Sequence, residues 1–122
     1  MTRSETNTWR AVLPLTLVAG ALVACAAALA HAELADAARA AQRWPGTTLA
    51  DLERGREVYV ARCSHCHVPR LPEAYPAAAW PALVAKMSNQ AKLAPEDEQE
   101  ITRFLVTTSA RLRHEPMPDV PR

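Results

Sequence analysis

Hydrophobic residues in this 122-residue chain fall into one continuous run and three helical patterns. Residues 11–30 are apolar almost throughout. Residues 49–62, 77–90 and 95–112 instead place apolar residues three and four positions apart, the spacing of one helix face. No segment alternates apolar and polar residues as a half-buried strand would, and no internal repeat is present. The pattern therefore predicts an all-α domain of about three helices, preceded by an N-terminal hydrophobic helix.

The first amphipathic helix has a clear start and a glycine in its interior. Thr48 followed by Asp51 forms a capping box, which predicts a helix over residues 49–62. Gly55 lies on the same face as Tyr59, and a glycine inside a helix costs about 1 kcal/mol relative to alanine. We therefore expect another backbone to approach this helix closely at Gly55.

The second and third helices follow a loop at residues 68–76, where three prolines exclude a regular helix. The second helix, predicted over residues 77–90, carries an apolar stripe at positions i, i+3, i+4 and i+7. The residues of this stripe are Trp80, Leu83, Val84 and Met87. The third helix is predicted to begin near Pro95, where the acidic residues that follow suit the positive end of the helix dipole. Its apolar face consists of Ile101, Phe104, Leu105 and Leu112.

Residues 1–32 have the layout of a secretory signal peptide. A polar start with two arginines precedes the apolar run, and Ala30-His31-Ala32 matches an A-x-A cleavage site. Two alternatives remain open. The apolar run is long enough to remain as an N-terminal membrane anchor, and Leu22-Val23-Ala24-Cys25 resembles a lipobox in which Cys25 is lipidated. All three interpretations place the rest of the chain in the periplasm, either soluble or attached to the membrane.

The remaining chain divides into a spacer, a domain and a tail. Residues 33–46 have high helix propensity but a weak apolar face and end in Pro-Gly, so we interpret them as a spacer. Residues 47–112 form the predicted domain. Residues 113–122 contain three prolines and are expected to be a flexible tail.

The charge of the chain is balanced. Of 14 Lys and Arg and 13 Asp and Glu, residues 33–122 retain 12 of each, because Arg3, Arg10 and Glu5 precede them. The sequence contains no basic stripe, so nucleic acid is not an expected partner.

The segment Cys63-Ser64-His65-Cys66-His67 matches the Cys-x-x-Cys-His motif of covalent haem attachment. Two thiols three positions apart can reach the vinyl groups along one edge of a porphyrin, and the next imidazole can bind the iron. A thioredoxin-like site would follow a strand, and no strand-like segment precedes Cys63. A structural zinc site normally has four ligands, and four ligands within these five residues could not easily form a tetrahedron. The motif therefore predicts one covalent haem c, held by Cys63 and Cys66 with His67 on the iron. Export agrees with this prediction, because bacteria attach c-type haem after export.

Several residues are candidates for the ligand on the other side of the iron. Met87 belongs to an apolar stripe, where a methionine is usually only part of the core, but an iron in need of a sixth ligand gives it a second role. Met117, in a Met-Pro pair, and His114, which would give bis-histidine ligation, are the alternatives. The choice matters because methionine raises the reduction potential of haem iron and histidine lowers it.

Residues 48–110 resemble a small class I cytochrome c, a mono-haem family in which an N-terminal helix runs into Cys-x-x-Cys-His and a C-terminal helix crosses it. The resemblance implies a cytochrome c fold in which Gly55 and Tyr59 meet Phe104 and Leu105. The loop that carries the methionine ligand in many class I cytochromes corresponds to residues 88–94 and contains no methionine.

The segment from Trp80 to Met87 instead resembles a subgroup in which a Trp…Met helix leads almost directly into the last helix. Similar domains occur as electron-accepting subunits or modules of periplasmic dehydrogenases. This resemblance implies that Met87 is the distal ligand.

The resemblance implies single-electron transfer rather than catalysis. The partners would be a redox donor and a redox acceptor, such as a periplasmic dehydrogenase or a terminal oxidase. Two alternatives stay open: a five-coordinate haem protein, either sensor or peroxidase-like, and a haem-free Cys-x-x-Cys thiol-disulfide protein.

Overall fold

The computed structural model describes residues 29–119, and this part of the chain contains only helices and loops. The α-helices are α1 (Leu34–Arg43), α2 (Leu49–Cys63), α3 (Trp80–Ala91) and α4 (Pro95–Leu112). Two 3₁₀ helices, Pro72–Ala74 and Ala77–Ala79, lie between α2 and α3. The predicted all-α fold is confirmed. None of the described helices is long and apolar enough to cross a membrane.

Most of the predicted signal peptide or anchor, together with Cys25, lies outside the described residues, as do the last three residues of the chain.

Helix α4 occupies the centre of the domain. All seven residues from Phe104 to Ala110 are buried, so the helix is covered on every side in this region. It packs against α1, α2, α3 and both 3₁₀ helices. The sequence pattern predicted a single apolar face because Thr107, Thr108 and Ser109 are polar, but the structure buries these residues as well.

The crossing of α2 over α4 explains the glycine inside α2. A β-carbon added at Gly55 would overlap the Glu100 carbonyl oxygen and lie 3.1 Å from the Phe104 β-carbon. Only a residue without a side chain allows the two backbones to approach this closely. Tyr59, one turn further along α2, is fully buried. The capping box predicted at the start of α2 is also present, because Thr48 and Asp51 exchange hydrogen bonds.

Residues 33–46, interpreted from the sequence as a spacer, contain helix α1, and this helix packs against α4. Asp36 is completely buried and accepts hydrogen bonds of 2.8 and 3.1 Å from Nε of Arg111. Ala40 and Trp44 join the hydrophobic core. The contact was missed because a buried carboxylate anchors this helix and its apolar face is weak.

Residues 29–32, here called the N-terminal strap, lie against α2. Glu53 accepts a 2.6 Å hydrogen bond from the Ala32 amide and contacts Nδ1 of His31 at 2.8 Å. Arg56 donates to the carbonyl oxygen of Leu29 at 3.1 Å, and the Leu29 side chain is buried in the core. The strap therefore consists of the predicted cleavage motif, residues 30–32, and the residue directly before it, so cleavage after Ala32 would remove it.

The chain after α4 has no regular structure over residues 113–119, but it makes several contacts with the domain. Glu115 accepts a hydrogen bond of 3.0 Å from the Ala77 amide. Met117 packs against the core, and Asp119 lies 2.6 Å from Arg43. This part of the expected flexible tail thus runs along α1 and the second 3₁₀ helix.

Candidate functional site

The predicted haem-attachment motif lies where α2 ends. Cys63 is the last residue of α2 and is buried, whereas the following turn brings Cys66 and His67 to the surface. The two cysteines are not joined to each other by a disulfide. The end of the helix thus separates the two thiols, one against the core and one at the surface.

One cleft brings together all four residues predicted to hold the haem. Cys63, Cys66 and His67 line one wall, and Met87 lines the other. The remaining lining residues are Arg62, Gln90 and Ala91. On α3, Met87, Gln90 and Ala91 share one face because residues three and four apart are neighbours on a helix.

The apolar stripe predicted for α3 is divided between the core and this cleft. Trp80 and Val84 are almost completely buried, whereas Leu83 and Met87 are half-buried. Trp80 and Val84 therefore belong to the core, and the Met87 side chain lines the cleft. A helical period alone does not show where this division falls.

His67 has one ring nitrogen occupied by the backbone. Its Nδ1 donates a hydrogen bond of 2.9 Å to the carbonyl oxygen of Val68. In the neutral tautomer that makes this bond, the lone pair of Nε2 is available to a metal. The acceptor is the residue directly after the histidine, so this contact is made within two consecutive residues.

Two buried aromatic residues hold the loop that follows His67. The hydroxyl of Tyr59 donates to the Arg70 carbonyl oxygen at 2.8 Å, and Nε1 of Trp80 donates to the Pro72 carbonyl oxygen at 2.9 Å. Their rings meet edge to face at 6.4 Å. Burial raises the pKa of Tyr59, so the phenol remains a hydrogen-bond donor at neutral pH.

From the sequence, these two residues were expected to have only packing roles. One feature of the sequence could have indicated a further role. Each side chain carries a hydrogen-bond donor, and a buried Tyr or Trp usually finds a partner for it.

The alternative sixth ligands do not line this cleft. Met117 lines a separate depression with residues of α1, and His114 is exposed in the turn after α4. Among the described candidates, the fold brings Met87 to the same cleft as the two cysteines and His67.

The donor set of the cleft suits a covalent haem better than a zinc ion. Two free thiols, an imidazole with a free nitrogen and a thioether are the groups that attach and ligate haem c. In residues 29–119, no three His, Cys, Asp or Glu side chains are grouped so that they could hold a metal ion. The cavity between the walls is about 60 Å³, room for about two water molecules. A porphyrin therefore has to lie along the open side of the cleft or move its walls apart.

The thiols are also unlike those of an activated redox pair. Burial raises the pKa of the Cys63 thiol, and the charge of Arg62 offsets this only in part. Thiol-disulfide catalysts lower the pKa of their reactive cysteine. Cys63 thus has the environment of a structural thiol.

Comparison with known proteins gives one family. The family model for dihaem cytochrome c matches residues 59–121, which include the Cys-x-x-Cys-His motif, Met87 and α4. No curated protein and no solved structure matches the chain.

Proposed function

Because the chain belongs to the dihaem cytochrome c family, we propose that it is an exported cytochrome carrying single electrons between redox proteins. Membership of the family means covalently bound haem c and electron transfer rather than catalysis. The proposal adds the mono-haem state, the ligands, the location and the partners.

The observation that carries the proposal is the single cleft shared by Cys63, Cys66, His67 and Met87. The two thiols would form the thioether bonds, and Nε2 of His67 and the thioether of Met87 would be the axial ligands. When bound, the haem iron supplies a ferric–ferrous couple. The Val68 carbonyl keeps His67 in the tautomer that binds iron.

We propose one haem per chain, although the family is named for two. These 122 residues contain one Cys-x-x-Cys-His motif, and Cys25 has no second cysteine near it in the sequence. The intact mass of the purified holoprotein should therefore correspond to one haem, and the haem-to-protein ratio in alkaline pyridine should be one. A ratio of two would contradict the mono-haem assignment.

Optical spectra of periplasmically expressed protein test the ligands. The reduced protein should show the sharp α-band of c-type haem, and the oxidised protein should show the weak methionine–iron band. Replacing Met87 with alanine should abolish that band. Leu83→Ala removes a half-buried side chain one turn earlier on the same helix and should leave the band unchanged.

The same spectra distinguish the other functions. A band that survives Met87→Ala would make Met117 the next residue to replace. A high-spin spectrum of the unmodified protein would favour a five-coordinate sensor or peroxidase-like protein. A chain without a Soret band would be haem-free, leaving the thiol-disulfide function, which the buried Cys63 thiol disfavours.

We propose the periplasm as the location and redox proteins as the partners. A periplasmic dehydrogenase is the proposed donor and a terminal oxidase the proposed acceptor, in line with the class I resemblance. Fractionation with intact-mass analysis should find the haem protein in the periplasm or at its membrane face. The mass separates a chain that begins at Glu33 from a lipidated Cys25 or a retained anchor, and haem protein in the cytoplasm would contradict the location.

A further inference from the structure

The predicted cleavage motif, residues 30–32, is packed into the folded domain. Leu29, directly before the motif, is 7% exposed and belongs to the hydrophobic core, and Ala32 packs against that core. Leu34, just after the motif, is instead 77% exposed. Burial of an apolar side chain stabilises a fold, so the domain gains stability from a residue that cleavage after Ala32 would remove.

Arginines of α2 and α4 bind the backbone of the strap. Arg56 donates to the Leu29 carbonyl oxygen at 3.1 Å, and Arg111 donates to the His31 carbonyl oxygen at 3.0 Å. Arg111 also binds the buried Asp36 of α1. The strap and α1 therefore share one binding residue in α4.

Glu53 binds the other end of the strap. Its carboxylate accepts from the Ala32 amide at 2.6 Å and lies 2.8 Å from Nδ1 of His31. Arg56 lies three residues further along α2, and residues at this spacing are neighbours on one helix face. One face of α2 therefore holds both ends of the strap.

This fit is unexpected for a segment that is discarded. A signal peptide is absent from the mature protein, so its sequence has no need to match the folded domain. The strap matches it through a buried leucine and through hydrogen bonds at three of its four residues. Removal of the strap would open a gap in the core at Leu29 and take away the carbonyl acceptor of Arg56. The contacts therefore favour a strap that remains in the mature protein.

The sequence before the strap is apolar and contains no polar linker. Residues 11–28 are 18 residues without a charge, a length that can cross a bilayer. Cys25 lies only four residues before Leu29, which is already in the core. A lipidated Cys25 would thus have almost no tether between the lipid and the domain, so the contacts of Leu29 favour the uncleaved segment as the anchor.

We propose that the chain is not cleaved after Ala32, that the strap stays in the mature protein, and that residues 11–28 anchor the domain in a lipid bilayer. The inference rests on the export that the proposed function includes, and it replaces release into the periplasm with permanent attachment. The strap is then the joint that fixes the domain to its anchor, because it is held by α2, α4 and the core at once.

The variant Leu29→Ala tests whether the strap belongs to the mature protein. In full-length holoprotein purified in detergent, it should lower the melting temperature by about 10 °C, since it removes a buried leucine side chain. Leu34→Ala is the matched control, because it truncates an exposed leucine five residues later, and it should change the melting temperature little. If the chain were cleaved after Ala32, the purified Leu29→Ala protein would have the same sequence as the unmodified one. Identical melting temperatures would therefore overturn the proposal.

Fractionation and intact mass test the anchor. The holoprotein should stay with the membrane after washes with concentrated salt and with alkaline carbonate, and detergent should release it. Its mass should correspond to a haem and a chain that still contains residues 11–32. A chain that begins at Glu33 in the soluble fraction would overturn the proposal. A chain that begins at a lipidated Cys25 would also overturn it, because the segment before Cys25 would have been removed.

The outcomes separate this inference from the proposed function. A soluble haem protein that begins at Glu33 and can be reduced and reoxidised would lose the anchor and keep electron transfer. A membrane-bound chain that retains residues 11–32 but binds no haem would keep the anchor and lose the proposed function.

Discussion

Thr107 and Thr108 are fully buried in α4, and neither hydroxyl has a hydrogen-bond partner in the described structure. The next residue, Ser109, differs because its hydroxyl donates to the Tyr75 carbonyl oxygen at 2.8 Å. A buried hydroxyl without a partner loses its contacts with water and gains nothing in return. The centre of the domain is therefore less stable at these two positions than an apolar side chain would make it.

Thr107→Val should raise the free energy of unfolding by about 1 kcal/mol. Valine has the same shape and β-branching as threonine, so packing and helix propensity change little. Urea denaturation of the holoprotein measures the effect. Ser109→Ala is the contrasting variant and should lower the stability by about 1 kcal/mol, since it removes a hydrogen bond. A loss of stability in Thr107→Val would mean that its hydroxyl is satisfied.

At the scale of single residues, the sequence predicts a site role for residues whose chemistry requires a fixed spacing. Cys63, Cys66 and His67 are predicted because a haem edge requires that interval, and Met87 because of its helical stripe and the resemblance to the Trp…Met subgroup. The Val68 acceptor and the donors Tyr59 and Trp80 were missed as site residues. Hydrogen-bond partners depend on the path of the folded chain, which a local pattern does not contain.

At the scale of elements, the amphipathic helices were predicted well and α1 was not recognised as part of the domain. Local signals mark where these helices begin. The start of α2 has a capping box, and the start of α4 has a first-turn proline followed by acidic residues. The attachment of α1 depends on Asp36 and Arg111, which are 75 residues apart. No periodicity connects residues so distant, and the N-terminal strap was missed for the same reason.

The strap makes part of the stability depend on pH. Burial opposes ionisation of Glu53, but the hydrogen bonds from His31 and the Ala32 amide outweigh it and lower the pKa of Glu53 below its ordinary value of 4.5. Stabilisation by a carboxylate with a lowered pKa is fully present above the unfolded pKa. It is lost as pH falls through the folded pKa.

Glu53→Gln in the full-length chain should therefore lower stability by about 0.5 kcal/mol at neutral pH and weaken the acid dependence. Melting temperatures measured between about pH 3 and 6 should fall less steeply in this variant than in the unmodified protein. Glu57→Gln changes an exposed carboxylate on the same helix and should leave the acid slope unchanged. Identical slopes for Glu53→Gln and the unmodified protein would show that the strap does not hold Glu53.

At the scale of the whole molecule, the core surrounds α4 and the functional cleft lies at its margin. Tyr59 and Trp80 are the bridge between them, since both rings are buried in the core and both donate to the loop after His67. The core therefore holds the loop after His67, the proposed iron ligand, at two backbone positions. The helical fold could be predicted from the sequence. The position of the cleft at the margin of the core could not, because it depends on how all the helices pack together.

The same bridge is expected to affect the rate of electron transfer. Tyr59→Phe keeps the buried ring and removes only the hydroxyl bonded to the Arg70 carbonyl oxygen, which should lower stability by about 1 kcal/mol. The loop gains freedom, and electron self-exchange should slow about twofold if the activation barrier rises by about 0.5 kcal/mol. NMR line broadening in mixed oxidation states measures the rate. If stability falls as expected but the self-exchange rate is unchanged, the Tyr59 hydroxyl contributes to folding and not to electron transfer.

The two carbonyl contacts thus have a consequence for the reorganisation energy of the site. In the proposed haem site, a change of charge on the iron would pull on His67 and on the dipoles around it, and every atom that shifted in response would add to the barrier. A loop fixed at Arg70 and Pro72 has few alternative positions available to it. In the proposed cytochrome, the domain would therefore let an electron arrive or leave while the atoms around His67 stayed nearly where they were.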